Sequence, residues 1–151
     1  MRFTPSGPDS SIEETAARIA HLEHHQSEHG FSKWIIMERF SGRPIGDAGL
    51  LFMADYGWID FGFRLAHPFC GQGLAAEAAS AWVERPFGEL KLKRLTAIVH
   101  PENHAPINVL HKLGFGEERR AVVMGMNSIV YRLTPGGDKE SVPTSVVPSP
   151  A

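Results

Sequence analysis

The chain has 151 residues, a net charge of −2, and ordinary hydrophobic (42%) and charged (21%) contents. That length suits one domain with a real core rather than two, and the charge balance offers no basic field for nucleic acid or a membrane surface. The lone Cys70 cannot form an intrachain disulfide, no apolar run approaches the roughly 18 residues of a membrane span, and "MRFTPSGPDS" lacks a signal-peptide core, so a cytoplasmic protein is expected.

In chain order, "SSIEETAARIAHLEHHQSEHG" reads as a first helix. Ser10 or Ser11 caps it, Glu13 or Glu14 is the capping-box partner, and Gly30 ends it. His21, His25 and His29 share one face at i, i+4, i+8 spacing. That spacing suits a transition metal, but no second ligand segment accompanies it, so a solvated polar face is expected and no metal. Strands follow at 33–40, 45–53 and 58–65, joined by "SGRP" and "ADYG" turns; such short links predict an antiparallel meander. A helix is expected over about 74–87, broken near Pro86, then a strand over 92–99. A short helix starts near Pro106 and stops at Gly114, and a hairpin around Gly125 to Asn127 closes the domain near Leu133. Residues 134–151, rich in Pro, Ser, Thr and Gly, read as a disordered tail after a single 1–133 domain. The order of helices and strands predicts a mixed α/β (α+β) layered domain. Trp34, Trp58 and Trp82 are expected to make core or layer contacts.

"CGQGLAAEA" (70–78) places two glycines directly against strong helix formers. A helix N-terminus has unpaired N–H groups and a positive dipole end, and glycines before it let an anion approach without Cβ interference. The amides of about Gln72 to Ala75 are therefore expected to face an anion, with Gly71 and Gly73 opening the turn. A Walker A loop is excluded because no Gly-Lys-Ser/Thr follows. "GQGLAA" fits the loose dinucleotide fingerprint, but a meander precedes it and "KLKR" stands where that fold needs an acid.

Three segments, "GRPIGDAGL" (42–50), "IDFGFRLAHPFCGQGLAAEA" (59–78) and "LTAIVHPENHAPINVLHKLGF" (95–115), together resemble the GNAT acyltransferase superfamily. The branch most similar is the RimJ/RimL-type N-acetyltransferases, which act on protein N-termini and small amines. The resemblance implies a GNAT-like three-layer αβα fold in which the strands at 58–65 and 95–99 run parallel and splay apart. It implies acetyl-CoA as acyl donor, with its pantetheine arm on the backbone of Phe63, Arg64 and Leu65. The pyrophosphate would lie on Cys70, Gly71, Gln72, Gly73, Leu74 and Ala75, and Asn103 would hold the arm. It also implies a strand acid, here Asp60, as base for the amine; His100 and His104, which bracket Asn103, are the other candidates.

The chain departs from the family pattern in three places. Cys70 replaces the usual Gln or Arg; Pro106 replaces a serine of Asn-x-x-Ser; and the family's first strand and helix would lie upstream of "MRFTPS", so either the fold is shortened or Met1 is not the natural start. Cys70, near a helix N-terminus, is also weighed as a nucleophile, but direct transfer needs no covalent step. The expected activity is acetyl transfer to a primary amine, on a protein N-terminus or a small molecule, by direct attack, in a chain that can form a homodimer. The alternatives are a non-catalytic acyl-CoA-binding or sensor protein on the same scaffold, and a nucleotide-binding module.

Overall fold

The structure is a computed structural model that describes residues 9–71 and 73–135. Its elements are α1 (Ile12–His29), β1 (Lys33–Met37), β2 (Pro44–Met53), β3 (Trp58–Leu65), α2 (Leu74–Gly88), β4 (Leu95–Val99), α3 (His104–Lys112), β5 (Gly116–Val123) and β6 (Met126–Leu133). The strands form one mixed sheet in the order β1-β2-β3-β4-β6-β5. Every neighbouring pair is antiparallel except β3 and β4. This is the expected helix and strand order, and β3 has the expected bounds.

Local chemistry explains the boundaries. Ser11 caps α1 by accepting from Glu14 N–H at 3.1 Å, and the Glu14 carboxylate accepts from Ser10 N–H at 2.7 Å. This is a capping box shared by two serines. Gly30, left-handed at φ 79°, ends α1 and donates to Gln26 O. β1 stops at Met37, short of the expected residue 40, where Glu38 and Arg43 close the turn through Glu38 N–H to Arg43 O. The break expected at Pro86 is absent. α2 continues to Gly88 with Pro86 buried inside it, and the Pro86 carbonyl accepts from Leu92 N–H at 2.8 Å. That bond holds Leu92 in the connection, so β4 begins at Leu95 rather than at 92. α3 starts at His104, with Pro106 as its third residue, where a missing N–H still costs no helical bond. After α3, Phe115 N–H returns to Leu110 O at 3.0 Å across left-handed Gly114, a Schellman ending that drives Phe115 into the core against Phe61. The β5–β6 turn is Met124–Gly125, both at positive φ, one residue earlier than expected and of the twist that hairpins favour.

The main core lies on the α2 and α3 face. Leu50, Phe61, Leu95 and Tyr131 from the sheet pack with Ala79 and Trp82 of α2 and Leu110 of α3. Burying each large side chain there is worth about 1.5–3 kcal/mol. Trp82 and Trp58 are buried; Trp34 is half exposed but makes a layer contact, edge-on to Trp82. The expected solvated histidine face fails at His25, which is 7% exposed. Its Nδ1 lies 2.8 Å from Phe31 O, and its Nε2 accepts from Phe52 N–H at 3.0 Å. β1 does not extend far enough to pair with Phe52, and the imidazole supplies the acceptor instead. These bonds fix the neutral Nδ1–H tautomer, and burial lowers the His25 pKa from its ordinary value. Among the described residues no group of three or more His, Cys, Asp or Glu is arranged to hold a metal ion. Among them, too, no helix is long and apolar enough to cross a membrane. Most of the expected 134–151 tail, from residue 136 on, lies outside the described residues.

Candidate active site

The central feature is the junction of β3 and β4. Among the described residues these parallel strands share one register pair, Asp60 with Thr96, although both run on beyond it. The ladder therefore opens toward the C-terminal ends of both strands. Ala66 N–H donates to Ile45 O at 2.7 Å, continuing the β2–β3 ladder, so the even-numbered residues of β3 turn their main-chain groups to β2. By strand alternation, Phe63 and Leu65 turn theirs toward the opening, while Arg64 pairs with Asp47 on the β2 side. Of the three strand residues named from sequence, two thus present backbone to the gap and the third does not.

Past Leu65 the chain makes a single 3-10 turn, His67–Phe69, and then the glycine loop. Gly71 (φ 78°) and Gly73 (φ 76°) are both left-handed, and a Cβ at either would meet nothing within 4 Å. Glycine is needed here for backbone shape, and the approach is open. Gly73 is the N-cap of α2 and makes no side-chain cap bond; the helix's first backbone bond runs from Glu77 N–H to Gly73 O. The N–H groups of Leu74, Ala75 and Ala76 precede that bond and have no intrahelical acceptor. Cys70 is exposed, with its Sγ 3.7 Å from Ala66 O. Gln72 lies outside the described residues.

β4 ends at the same edge of the sheet. Asn103 is the N-cap of α3, yet its side chain makes no cap hydrogen bond; its own N–H donates to His100 O. His100 Nδ1 accepts from Glu102 N–H at 3.1 Å, which places the ring proton of a neutral imidazole on Nε2 and sets His100 as a donor rather than a base. His104 is exposed as the first residue of α3.

Asp60 sits where the ladder opens. Its Oδ1 is buried and has no hydrogen-bond partner among the described residues. Burial raises its pKa to about 7, against the opposing pull of Lys33 and of the nearby Ile98 N–H.

The sheet face opposite the core carries a charged group that the sequence reading missed. Asp47 receives Arg64 through Nε at 3.1 Å and Nη2 at 2.7 Å, and Lys33 Nζ lies 3.7 Å from its Oδ1. The alternation of β1, β2 and β3 puts these residues on one face, but only the register between strands brings them together.

Residues 1–116 match the family model described as the acetyltransferase (GNAT) domain. Among curated relatives, the chain is 29% identical over 119 residues to "Uncharacterized N-acetyltransferase p20" of Bacillus licheniformis, covering 78% of this chain and 65% of that one. It is 28% identical over 94 residues to YkkB of Bacillus subtilis, covering 61% and 55%. The match thus spans less than two thirds of either relative's length. Among solved structures, an acetyltransferase from Agrobacterium tumefaciens superposes with a TM-score of 0.72 at 25% identity, over 84% of this chain and 74% of that one. The ribosomal-protein-S5-alanine acetyltransferase of Vibrio fischeri gives 0.71 at 19%, over 89% and 80%. The aminoglycoside acetyltransferase AAC(6')-Ib, solved in complex with coenzyme A, gives 0.63 at 20%, over 80% and 76%.

Proposed function

Because the chain belongs to the GNAT acetyltransferase family, we propose that it transfers an acetyl group from acetyl-CoA to a primary amine of low pKa. The α-amine of a protein N-terminus is the substrate class favoured, in line with the RimJ/RimL resemblance and the S5-alanine neighbour. The observation that carries this reading is the parted β3–β4 pair, with the backbone of Phe63 and Leu65 turned toward the gap and leading to the bare start of α2.

These residues fit the cofactor. The main-chain groups of Phe63 and Leu65 would hold the amides of the pantetheine arm as an added strand would. The leading amides of Leu74, Ala75 and Ala76, behind left-handed Gly71 and Gly73, would hold the pyrophosphate, with the helix dipole favouring its charge. Asn103, whose side chain is not spent on a cap, would hold the arm from the α3 side. When bound, acetyl-CoA supplies an activated thioester.

Asp60 is the base in this reading. A carboxylate with a pKa of about 7 is matched to taking a proton near neutral pH. Releasing an α-amine of pKa about 7.8 at pH 7 costs about 1 kcal/mol, whereas a lysine amine near 10.4 costs about 4.6. The weaker demand suits a site with one base. The free amine attacks the thioester carbonyl directly. Pro106 stands where the family pattern has a hydroxyl, so the leaving thiolate, a weak base, takes its proton from water.

The test is thiol release from acetyl-CoA with a panel of amines: peptides with free N-terminal Ala or Ser, an N-blocked lysine peptide, a polyamine and an aminoglycoside. The expected result is thermal stabilisation by acetyl-CoA and fastest release with the free N-terminal peptides. Stabilisation without release on any amine would reject the transferase reading, and no stabilisation would reject the cofactor site itself.

A further inference from the structure

Lys33 is on β1, two strands from Asp60; its ammonium lies 3.7 Å from Asp47, and from beyond ion-pair distance its charge still acts on the Asp60 carboxylate. Its register row explains how. Lys33 lies opposite Gly49 on β2, and Gly49 lies opposite Gly62 on β3. Two glycines in one row leave no side chain between β1 and β3 on that face. A Cβ placed on Gly62 would fall 2.9 Å from Lys33 Nζ and 3.7 Å from Asp60 Oδ2, so the ammonium and the carboxylate flank the position of one missing methyl without closing to an ion pair. The Lys33 side chain is only 16% exposed.

The other charges near this point are accounted for by element. Asp47 on β2 is held by the fork of Arg64 on β3 and carries Lys33 as a second cation at 3.7 Å, so one carboxylate serves two cations there. Arg132 on β6 lies opposite Thr96, one strand beyond Asp60, and approaches Glu118 at 3.9 Å. β4 presents Thr96 and the Ile98 N–H, neither of which titrates.

We propose that Lys33 is a positioning residue that keeps Asp60 available as the base, its ammonium near the carboxylate in the space that Gly62 leaves open. The proposal rests on the reading of Asp60 as base. In the step it supports, the N–H bond of the substrate ammonium breaks, the proton goes to a carboxylate oxygen of Asp60, and the lone pair stays on nitrogen for attack. Lys33 neither gains nor loses a proton.

The direct test needs no substrate. Asp60 is titrated by carbon-13 NMR of aspartate-labelled full-length protein, its signal assigned by loss in Asp60→Asn. An opposite charge at this range lowers a carboxyl pKa by about 1–3 units. Lys33→Met should therefore move the midpoint up by about one pH unit or more, and Lys33→Arg should keep it near the wild-type value. Gly62→Ala, which displaces only the flexible end of Lys33, should move it up while leaving the fold intact. An unmoved midpoint in folded Lys33→Met and Gly62→Ala overturns the proposal. In the acetylation assay, the acid limb of kcat/KM should follow the same shifts and vanish in Asp60→Asn. If Asp60→Asn keeps the wild-type profile, the base reading fails and this role with it, even where the NMR midpoint moves.

Discussion

Two helices in this molecule begin in opposite ways. α1 starts closed: Ser11 takes the Glu14 N–H, and the Glu14 carboxylate returns to the Ser10 N–H. α2 starts open, with a left-handed glycine that has no side chain to give. Both are regular helices of similar length, so the difference is not one of helix formation. A helix whose first donors are met by its own side chains has no use for an anion, whereas one with bare donors at an open edge can hold one. α3 is intermediate. Asn103 makes no cap bond, but Pro106 removes one of its three leading donors. The three starts rank α2 first as the proposed anion site.

The largest expected effect comes from closing α2 as α1 is closed. Gly73→Asp adds a carboxylate over the leading amides and displaces hydrogen bonds to a charged group worth about 1.5–3 kcal/mol each. Loss of two such bonds weakens coenzyme A binding by about 100-fold or more, measurable by calorimetry, while thermal unfolding confirms that the fold survives. Unchanged affinity would remove the phosphate from this loop.

The same contrast divides two carboxylates. Asp47 is met by a guanidinium fork; Asp60 holds a buried oxygen with no partner among the described residues. Asp60 titrates at about 7 in the folded chain against an ordinary 3.8. Between those values the folded chain keeps a proton that the unfolded chain has released, so this group costs stability as pH rises from about 4 to 7. Asp60→Asn should therefore raise the Tm by several degrees at pH 8, with the gain fading toward pH 4. A Tm difference that does not change with pH would show that burial does not govern this carboxyl.

Opening α1 should affect stability alone. Ser11→Ala should cost about 1 kcal/mol in denaturant unfolding and leave coenzyme A affinity untouched; a change in affinity would mean that α1 reaches the cofactor. The smallest effect is expected at α3. Asn103→Ala should remove a neutral hydrogen bond worth about 0.5–1.5 kcal/mol and raise KM for acetyl-CoA several-fold, with kcat nearly unchanged. Wild-type kinetics would make Asn103 a turn former only.

The features legible in the sequence were those set by local chemistry. The Ser-Ser-x-x-Glu start of α1, the glycines that open α2, the Gly114 stop and the alternation of β3 each act within a few residues. The misjudged features depend on distant partners. His25 looks like part of a polar stripe because its acceptor role is set by Phe52 N–H, 27 residues on. Leu92 looks like the start of a strand, but the Pro86 carbonyl holds it in a turn. The charged row of Lys33, Asp47 and Arg64 was within reach of alternation. What alternation lacks is the register that puts Gly49 and Gly62 under one lysine, and a one-residue slip would send those side chains to the opposite face.

Among the described residues the single Asp60–Thr96 register pair joins two antiparallel panels of the sheet, β1–β3 and β4–β6–β5. Panels joined at one rung can open separately, as cooperative units do in native-state exchange. A ligand bridging the backbone of both panels would act as a splint across that seam. Amide exchange near Phe63, Leu65 and Ile98 should slow when acetyl-CoA binds, far more than exchange along β5 and β6.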